Sequence, residues 1–296
     1  MNKIKAAIIG TGNIGTDLLM KIRRSPYLEC SLFAGRNLNS PGSVVAADMD
    51  VNVSDEGINA IADNPGCCDI VFDATSAAVH LAHAPVLKQL GKFTIDLTPA
   101  KAGIMCVPVI NLEEALFSDN VNLITCGGQA TIPIAYALSQ ACPHAGYIEM
   151  VSTIASKSAG IGTRDNIDEF TQTTREALSL FTGIERAKAI ITINPAEPAI
   201  NMRSTVYALI KDPDMEKLTR NVQQMAEKVR QYVPGYHITV GPVYENGRVT
   251  TTIEVTGLGD YLPKYSGNLD IITCAAVNIA EEYAKRRMQG GQPIEK

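Results

Sequence analysis

The 296-residue sequence has no surplus of basic charge, since 26 Lys and Arg against 31 Asp and Glu leave a formal net charge of -5. Nucleic-acid binders neutralise phosphates with clustered cations, and no Lys/Arg cluster stands out, which sets nucleic acid aside. No stretch approaches the roughly 20 apolar residues needed to span a bilayer. The apolar part of the opening segment, residues 4–9, is too short for a secretory signal and runs into a glycine-rich turn, so a cytoplasmic protein is expected. The seven cysteines (Cys30, Cys67, Cys68, Cys106, Cys126, Cys142 and Cys274) include no C-x-x-C pair and no His at zinc-ligand spacing. Neither a disulfide framework nor a metal site is therefore expected; most of them read as small buried hydrophobes, and one as a candidate nucleophile. Internal repeats and low-complexity segments are also lacking. What remains is 46% hydrophobic and 19% charged residues, the balance of a globular protein long enough for two domains with separate cores.

Hydrophobic patterning divides the chain. Residues 4–9 form an apolar run that stops at a glycine-rich turn and resumes at helical spacing, reading as strand, turn, helix. Further strands are expected at 30–34, 70–73, 93–97 and 121–124, alternating with helical or polar segments such as 55–63 and 79–90. That alternation predicts an α/β domain with a doubly wound parallel sheet over residues 1–125. Beyond Cys126 the pattern gives a helix at 132–141, a long strand at 147–155 and a small-residue loop at 156–163. A helix at 166–181, strands at 187–193 and 205–210 and a helix at 215–233 follow. A hairpin with Glu245, Asn246 and Gly247 at its tip comes next. Residues 126–266 are thus expected to form an α+β domain on a mixed sheet, and a helix at 269–287, within 267–296, to pack back on the first domain.

Three segments carry chemistry. Gly10, Gly12 and Gly15 form G-x-G-x-x-G between a strand and a helix, where such glycines allow a tight turn, backbone approach to a pyrophosphate and close helix–strand packing. A dinucleotide is the expected ligand. The acidic residue that would hold the ribose hydroxyls after the second strand is absent, with Arg36 and Asn37 in its place, so NAD and NADP both stay open. Asp73 and Asp96, at the ends of expected strands, either line the cofactor channel or cap the helices that follow. Cys126 is expected at a strand end, followed by Gly127 and Gly128 and then a helix, where backbone N–H groups and the helix dipole favour thiolate and could hold an oxyanion; the plainer alternative is a buried packing residue. A thiolate on a dinucleotide enzyme points to thiohemiacetal formation, hydride transfer and attack on the thioester by a second nucleophile. None of the four histidines pairs with it in the sequence, and His80 and His83 read as surface residues on a helix. The loop of Ser156, Lys157, Ser158, Ala159, Gly160, Ile161, Gly162, Thr163, Arg164 and Asp165 before Asn166 either connects and caps, or offers N–H groups and an Arg to an anionic nucleotide.

Taken together these motifs, with the segments at 72–76, 125–133, 160–170, 194–198 and 262–270, resemble the acylating acetaldehyde dehydrogenases that work beside 4-hydroxy-2-oxovalerate aldolase in aromatic-compound degradation. The resemblance covers nearly the whole chain. It implies a Rossmann domain followed by a dimerising α+β domain, and a reaction in which acetaldehyde, coenzyme A and NAD give acetyl-CoA and NADH. It implies Cys126 as the acyl-thioester nucleophile and Thr11, Gly12, Asn13, Ile14, residues Lys157 to Asp165 and Asn268 as NAD contacts. It further implies a homodimer assembled with the aldolase. Two positions depart from the family pattern: Arg36 stands where an acidic residue is frequent, and Ser204 stands where an Asp commonly follows the Arg matching Arg203. The competing readings are a phosphorylating semialdehyde dehydrogenase, in which phosphate releases the acyl group, and a non-catalytic redox or nucleotide sensor.

Overall fold

The computed structural model describes residues 3–160, 163–164 and 166–290. The chain divides into two units, one of Met1–Leu123 with Thr273–Lys296 and the other of Ile124–Ile272.

In the first unit β1 (Ile4–Ile9), α1 (Asn13–Arg24), β2 (Leu28–Ala34), α2 (Pro41–Ala47), β3 (Val53–Ser54) and α3 (Asn59–Ala62) lead to β4 (Ile70–Asp73) and α4 (Ala77–Gln89). They are followed by β5 (Phe93–Asp96), β6 (Ile104–Met105), α5 (Pro108–Ala115) and β7 (Asn120–Asn122). The seven strands lie in the order β3-β2-β1-β4-β5-β7-β6, and every pairing is parallel. Ala6 to Ile9 of β1 and all four residues of β4 are buried, as continuous apolar runs must be when helices cover both faces of a sheet. The order reverses between β1 and β4. Ligands of open α/β sheets bind outside the carboxyl ends of strands at such a reversal.

The second unit contains α6 (Cys126–Ala141), β8 (Tyr147–Ala155), α7 (Ile167–Thr182), β9 (Ala187–Asn194), β10 (Met202–Leu209), α8 (Met215–Arg230), β11 (Tyr236–Glu245) and β12 (Arg248–Val255). Its sheet runs β11-β12-β10-β8-β9, antiparallel except for β8 with β9. Burial alternates along β8 and β12, the pattern of a sheet packed on one face. Helix α6 lies against that sheet and against α7 and α8. Helix α8 buries Leu218, Val222, Met225, Ala226 and Val229, one apolar stripe at helical spacing, and is capped by Asp214, which accepts from the Lys217 N–H. Asn246 (φ 51°) and Gly247 (φ 79°) make the two-residue tip between β11 and β12, where left-handed backbone matches the strand twist.

Helix α9 (Gly267–Met288) begins in the second unit and ends in the first. Within the first unit its Tyr283 ring stacks on Phe93, centroids 4.0 Å apart, and Glu281 accepts from the Ser25 hydroxyl at 2.6 Å. Among the described residues no helix is long and apolar enough to cross a membrane.

Three local differences from the sequence reading have physical causes. The segment at 55–63 is helical only over Asn59–Ala62, because Gly57 takes φ 58°. The two-residue strands β3 and β6 and the helices α2 and α5 are too short for periodicity to reveal. Helix α6 starts at Cys126 rather than at residue 132. Gly127 and Gly128 are poor helix formers, but a Cβ on Gly127 would lie 2.7 Å from Met150 Cε and 2.9 Å from Phe170 Cζ, so close packing overrides propensity.

Candidate active site

Gly10 closes β1 with φ 112°, and a Cβ there would stand 2.5 Å from the Ala74 carbonyl oxygen that follows β4. Gly15, in the first turn of α1, would place a Cβ 1.9 Å from the Gly10 oxygen. Both positions are closed to any side chain. Gly12 differs: nothing lies within 4 Å of its Cβ position, and it precedes α1 without a side-chain hydrogen bond to the helix N-terminus. Free space before uncapped helical N–H groups is the cradle that a pyrophosphate fills. Thr11 is fixed beside it, with the Ser40 hydroxyl on its Oγ1 at 2.9 Å and with Gly35 and Gly42 too close to its atoms to carry a Cβ. Those two glycines were not singled out in the sequence, since they lie outside any fingerprint. Arg36 and Asn37 are exposed after β2, and Asn37 Oδ1 accepts from the Asn39 N–H at 2.9 Å.

In the second unit the chain turns into α6 through Ile124, a buried β-branched residue at φ 65°. That conformation costs a β-branched residue roughly 1–3 kcal/mol and persists where the surroundings enforce it. Thr125 then caps the helix: its Oγ1 accepts from the Gly128 N–H at 2.9 Å and pairs with Thr174 Oγ1 at 2.7 Å. Cys126 is the first helical residue. The N–H groups of Gly127 and of Cys126 itself reach its sulfur, as expected at a helix start. Burial opposes the expected thiolate, however. Part of the residue's surface stays accessible, yet burial dominates and pushes the thiol up to about 12, with the two N–H groups only moderating the rise. Ser152 Oγ, 3.3 Å from the Cβ position of Gly127, pairs with Ser204 Oγ at 2.7 Å, so a neutral hydroxyl pair lies beside the helix start.

The small-residue loop begins as a 3-10 turn over Ser156–Ser158. Lys157 pairs with Glu197 at 2.6 Å on the surface, and the Ser158 hydroxyl donates to the Ala155 carbonyl. Arg164 folds back, its Nε donating to the Ala159 carbonyl and its Nη2 to Ser156. Gly160 has open space around its Cβ position, and Thr163 is partly buried. Ile161, Gly162 and Asp165 lie outside the described residues. Asn268 Nδ2 donates to the Ser158 carbonyl at 3.3 Å, and its buried Oδ1 has no partner among the described residues, nor has the neighbouring Ser266 hydroxyl. A buried acceptor left unpaired costs about 1–3 kcal/mol.

His80 and His83 correct the sequence reading. His80 is wholly buried and His83 nearly so, and both turn inward to Asp73 Oδ2, with Nδ1 distances of 2.9 and 2.8 Å. Asp73 also accepts from the Thr75 N–H and hydroxyl. Against the cost of burial, the bonds from His80, His83 and Thr75 hold the Asp73 carboxyl below the usual range. Asp96, register partner of Asp73 on β5, accepts from the Thr98 N–H at 2.8 Å and from Asn122 Nδ2 at 2.7 Å. Burial pushes Asp96 up to about 6 in spite of His80, Thr98 and Asn122.

Two family models match the chain: prokaryotic acetaldehyde dehydrogenase, dimerisation, over residues 126–263, and semialdehyde dehydrogenase, NAD binding domain, over residues 5–116. The chain is 51% identical to acetaldehyde dehydrogenase of Pectobacterium atrosepticum, covering 96% of this chain and 97% of that one. It is 53% identical to acetaldehyde dehydrogenase of Desulfitobacterium hafniense, covering 98% of each, and 51% identical to that of Geobacillus stearothermophilus, covering 97% and 98%. Its fold matches a crystal structure of aspartate semialdehyde dehydrogenase II from Vibrio cholerae with TM-score 0.64 at 15% identity, over 96% of this chain and 99% of that one.

Proposed function

The chain belongs to the acetaldehyde dehydrogenase family, and from that premise we propose that it is the acylating enzyme, with Cys126 as the nucleophile that carries the acyl group. The observation that supports this most directly is the placement of Cys126 at the first position of α6, capped by Thr125 and bonded by two backbone N–H groups. The sulfur attacks acetaldehyde to give a thiohemiacetal, and the carbonyl oxygen takes up the N–H groups of Cys126 and Gly127 as its charge grows. Hydride leaves the thiohemiacetal carbon, which becomes a thioester on Cys126. Coenzyme A then displaces Cys126, so acetaldehyde, coenzyme A and NAD+ give acetyl-CoA, NADH and a proton. NAD, when bound, supplies the hydride acceptor. In the first unit Thr11, Gly12, Asn13 and Ile14 would hold its pyrophosphate in the open space before α1.

The same reading makes the protein a cytoplasmic homodimer, associating through the portion that matches the dimerisation model, and a partner of the aldolase that supplies its aldehyde. Co-expression and gel filtration test that association, and a dehydrogenase homodimer alone would remove the aldolase. The reaction is tested by NADH production from acetaldehyde with coenzyme A, with phosphate and with neither. Coenzyme A alone should support turnover; phosphate-dependent activity would instead favour a phosphorylating enzyme. Cys126→Ser should lose at least about 100-fold in turnover while binding NADH unchanged. CoA-dependent activity retained in the folded variant would falsify the mechanism.

A further inference from the structure

Asp73 and Asp96 stand opposite each other at the carboxyl ends of β4 and β5, beside the point where the strand order reverses. His80 lies between them with no exposed surface, Nδ1 at 2.9 Å from Asp73 Oδ2 and Nε2 at 3.4 Å from Asp96 Oδ2. Each carboxylate also holds the turn that follows its own strand. Asp73 bonds the Thr75 N–H and hydroxyl, and the adjacent Ala74 carbonyl abuts Gly10 of the glycine turn. Asp96 bonds the Thr98 N–H, and Thr98 Oγ1 accepts in turn from the Ala100 N–H. The acid–base groups therefore fasten both turns at the carboxyl edge of the sheet, where open α/β folds bind their ligands.

The groups facing His80 are Asp73 from β4, Asp96 from β5 and Asn120 from β7; His83, from its own helix, shares Asp73 with it. At the rim Lys88 Nζ lies 3.8 Å from Asp119. Asn120 can serve either charge state. With Nδ2 placed 3.0 Å from His80 Nε2 the amide donates to a neutral ring, while its Oδ1 is buried with no partner among the described residues. Exchanging the amide oxygen and nitrogen would let Oδ1 accept an N–H from a doubly protonated ring and would end the orphaned acceptor.

We propose that Asp73, His80 and Asp96 are positioning residues whose shared proton inventory sets NAD affinity, the ionised Asp96 holding the Thr98 turn in its binding form. This rests on the reading that the first unit binds NAD. Protonating Asp96 turns a charge-assisted acceptor into a neutral one and slackens the Thr98 turn. Binding therefore weakens as pH falls through about 6, and near that pH NADH binding releases protons. Loosening of the fold by Asp96 itself would run the other way. A carboxyl raised by burial favours the folded chain as pH falls from about 6 toward its unfolded value.

The test is NADH binding to the full-length enzyme by fluorescence between about pH 5 and pH 8, with circular dichroism at each pH. The apparent Kd in wild type should rise about tenfold from pH 7 to pH 5, the factor for one proton with a midpoint near 6. Asp96→Asn should flatten the curve. Calorimetry of NADH binding in two buffers of different ionisation heat gives proton release in wild type alone, so the idea stays testable if Asp96→Asn does not fold. A flat wild-type curve or zero proton release overturns the proposal. No NADH binding at any pH overturns the cofactor reading instead.

Discussion

Thr125→Val tests how the start of α6 is held, because the hydroxyl's bonds can be counted one by one. Thr174 donates its proton to the Phe170 carbonyl at 2.7 Å, so in the Thr125–Thr174 pair Thr125 is the donor, leaving its lone pair for the Gly128 N–H. Valine keeps the shape and removes both bonds. The buried Gly128 N–H is then orphaned, and an N-cap loss of about 1 kcal/mol with part of a 1–3 kcal/mol desolvation penalty gives about 2 kcal/mol. Thr174→Val removes the acceptor of the Thr125 proton and its own bond to the Phe170 carbonyl but leaves the Gly128 N–H capped, which predicts about 1 kcal/mol because that carbonyl lies within α7 and the Thr125 hydroxyl keeps its accepting bond. Urea unfolding followed by far-ultraviolet circular dichroism suits a chain without tryptophan, with slopes compared to confirm that the denatured state is unchanged. The expected result is that Thr125→Val loses about 1 kcal/mol more than Thr174→Val. Equal losses within about 0.5 kcal/mol, or the reverse order, would refute the donor assignment.

Gly12→Ala should cost no more than about 1 kcal/mol of stability, since its Cβ meets nothing in the protein, yet weaken NADH binding at least about tenfold by occupying the pyrophosphate space; unaltered NADH titration would place the phosphates elsewhere. Arg36→Asp should lower the ratio of kcat/KM for NADP to that for NAD, because a carboxylate repels a 2′-phosphate that a guanidinium can pair with. A ratio unchanged within about twofold would show that exposed Arg36 does not read the ribose. In the cofactor-free enzyme, alkylation of Cys126 by iodoacetamide should climb about tenfold per pH unit from pH 7 to pH 10, as a thiol near 12 requires, and a plateau before pH 8 would contradict the dominance of burial.

The parallel sheet was legible because apolar runs such as Ala6 to Ile9 end at turn residues and alternate with helical spacing, a local signal that two-sided burial imposes. Strand β8 was legible end to end for the same reason, with period two in place of continuous burial. The start of α6 was not. Gly127 and Gly128 signal a loop by propensity, whereas Gly127 is packed against Met150 and Phe170, distant in sequence, and the Gly128 N–H is capped by Thr125. The inward turn of His80 and His83 was hidden in the same way: their bonding depends on a carboxylate at the end of the preceding strand, and no single-helix pattern reports that. Cys126 was singled out from its neighbours as a candidate, but the burial that raises its thiol was not foreseen, because desolvation depends on the whole surroundings of the sulfur.

That burial sets what the helix start must accomplish. It holds the thiol up at about 12, so losing its proton at neutral pH is unfavourable in the free chain. A backbone donor aimed at a developing oxyanion is worth roughly 3 kcal/mol. The N–H groups of Cys126 and Gly127 rest on the sulfur in the free chain, and on moving to a substrate oxygen they give up those bonds, so their net return is smaller than that of two free donors. The proposed attack therefore needs an acceptor for the thiol proton as the sulfur–carbon bond forms; the neutral Ser152–Ser204 pair beside the helix is no base, which leaves solvent water to take it. In the mechanism proposed for Cys126, the strained turn at Ile124 and the cap at Thr125 would act on the rate through one quantity, the aim of those two N–H groups.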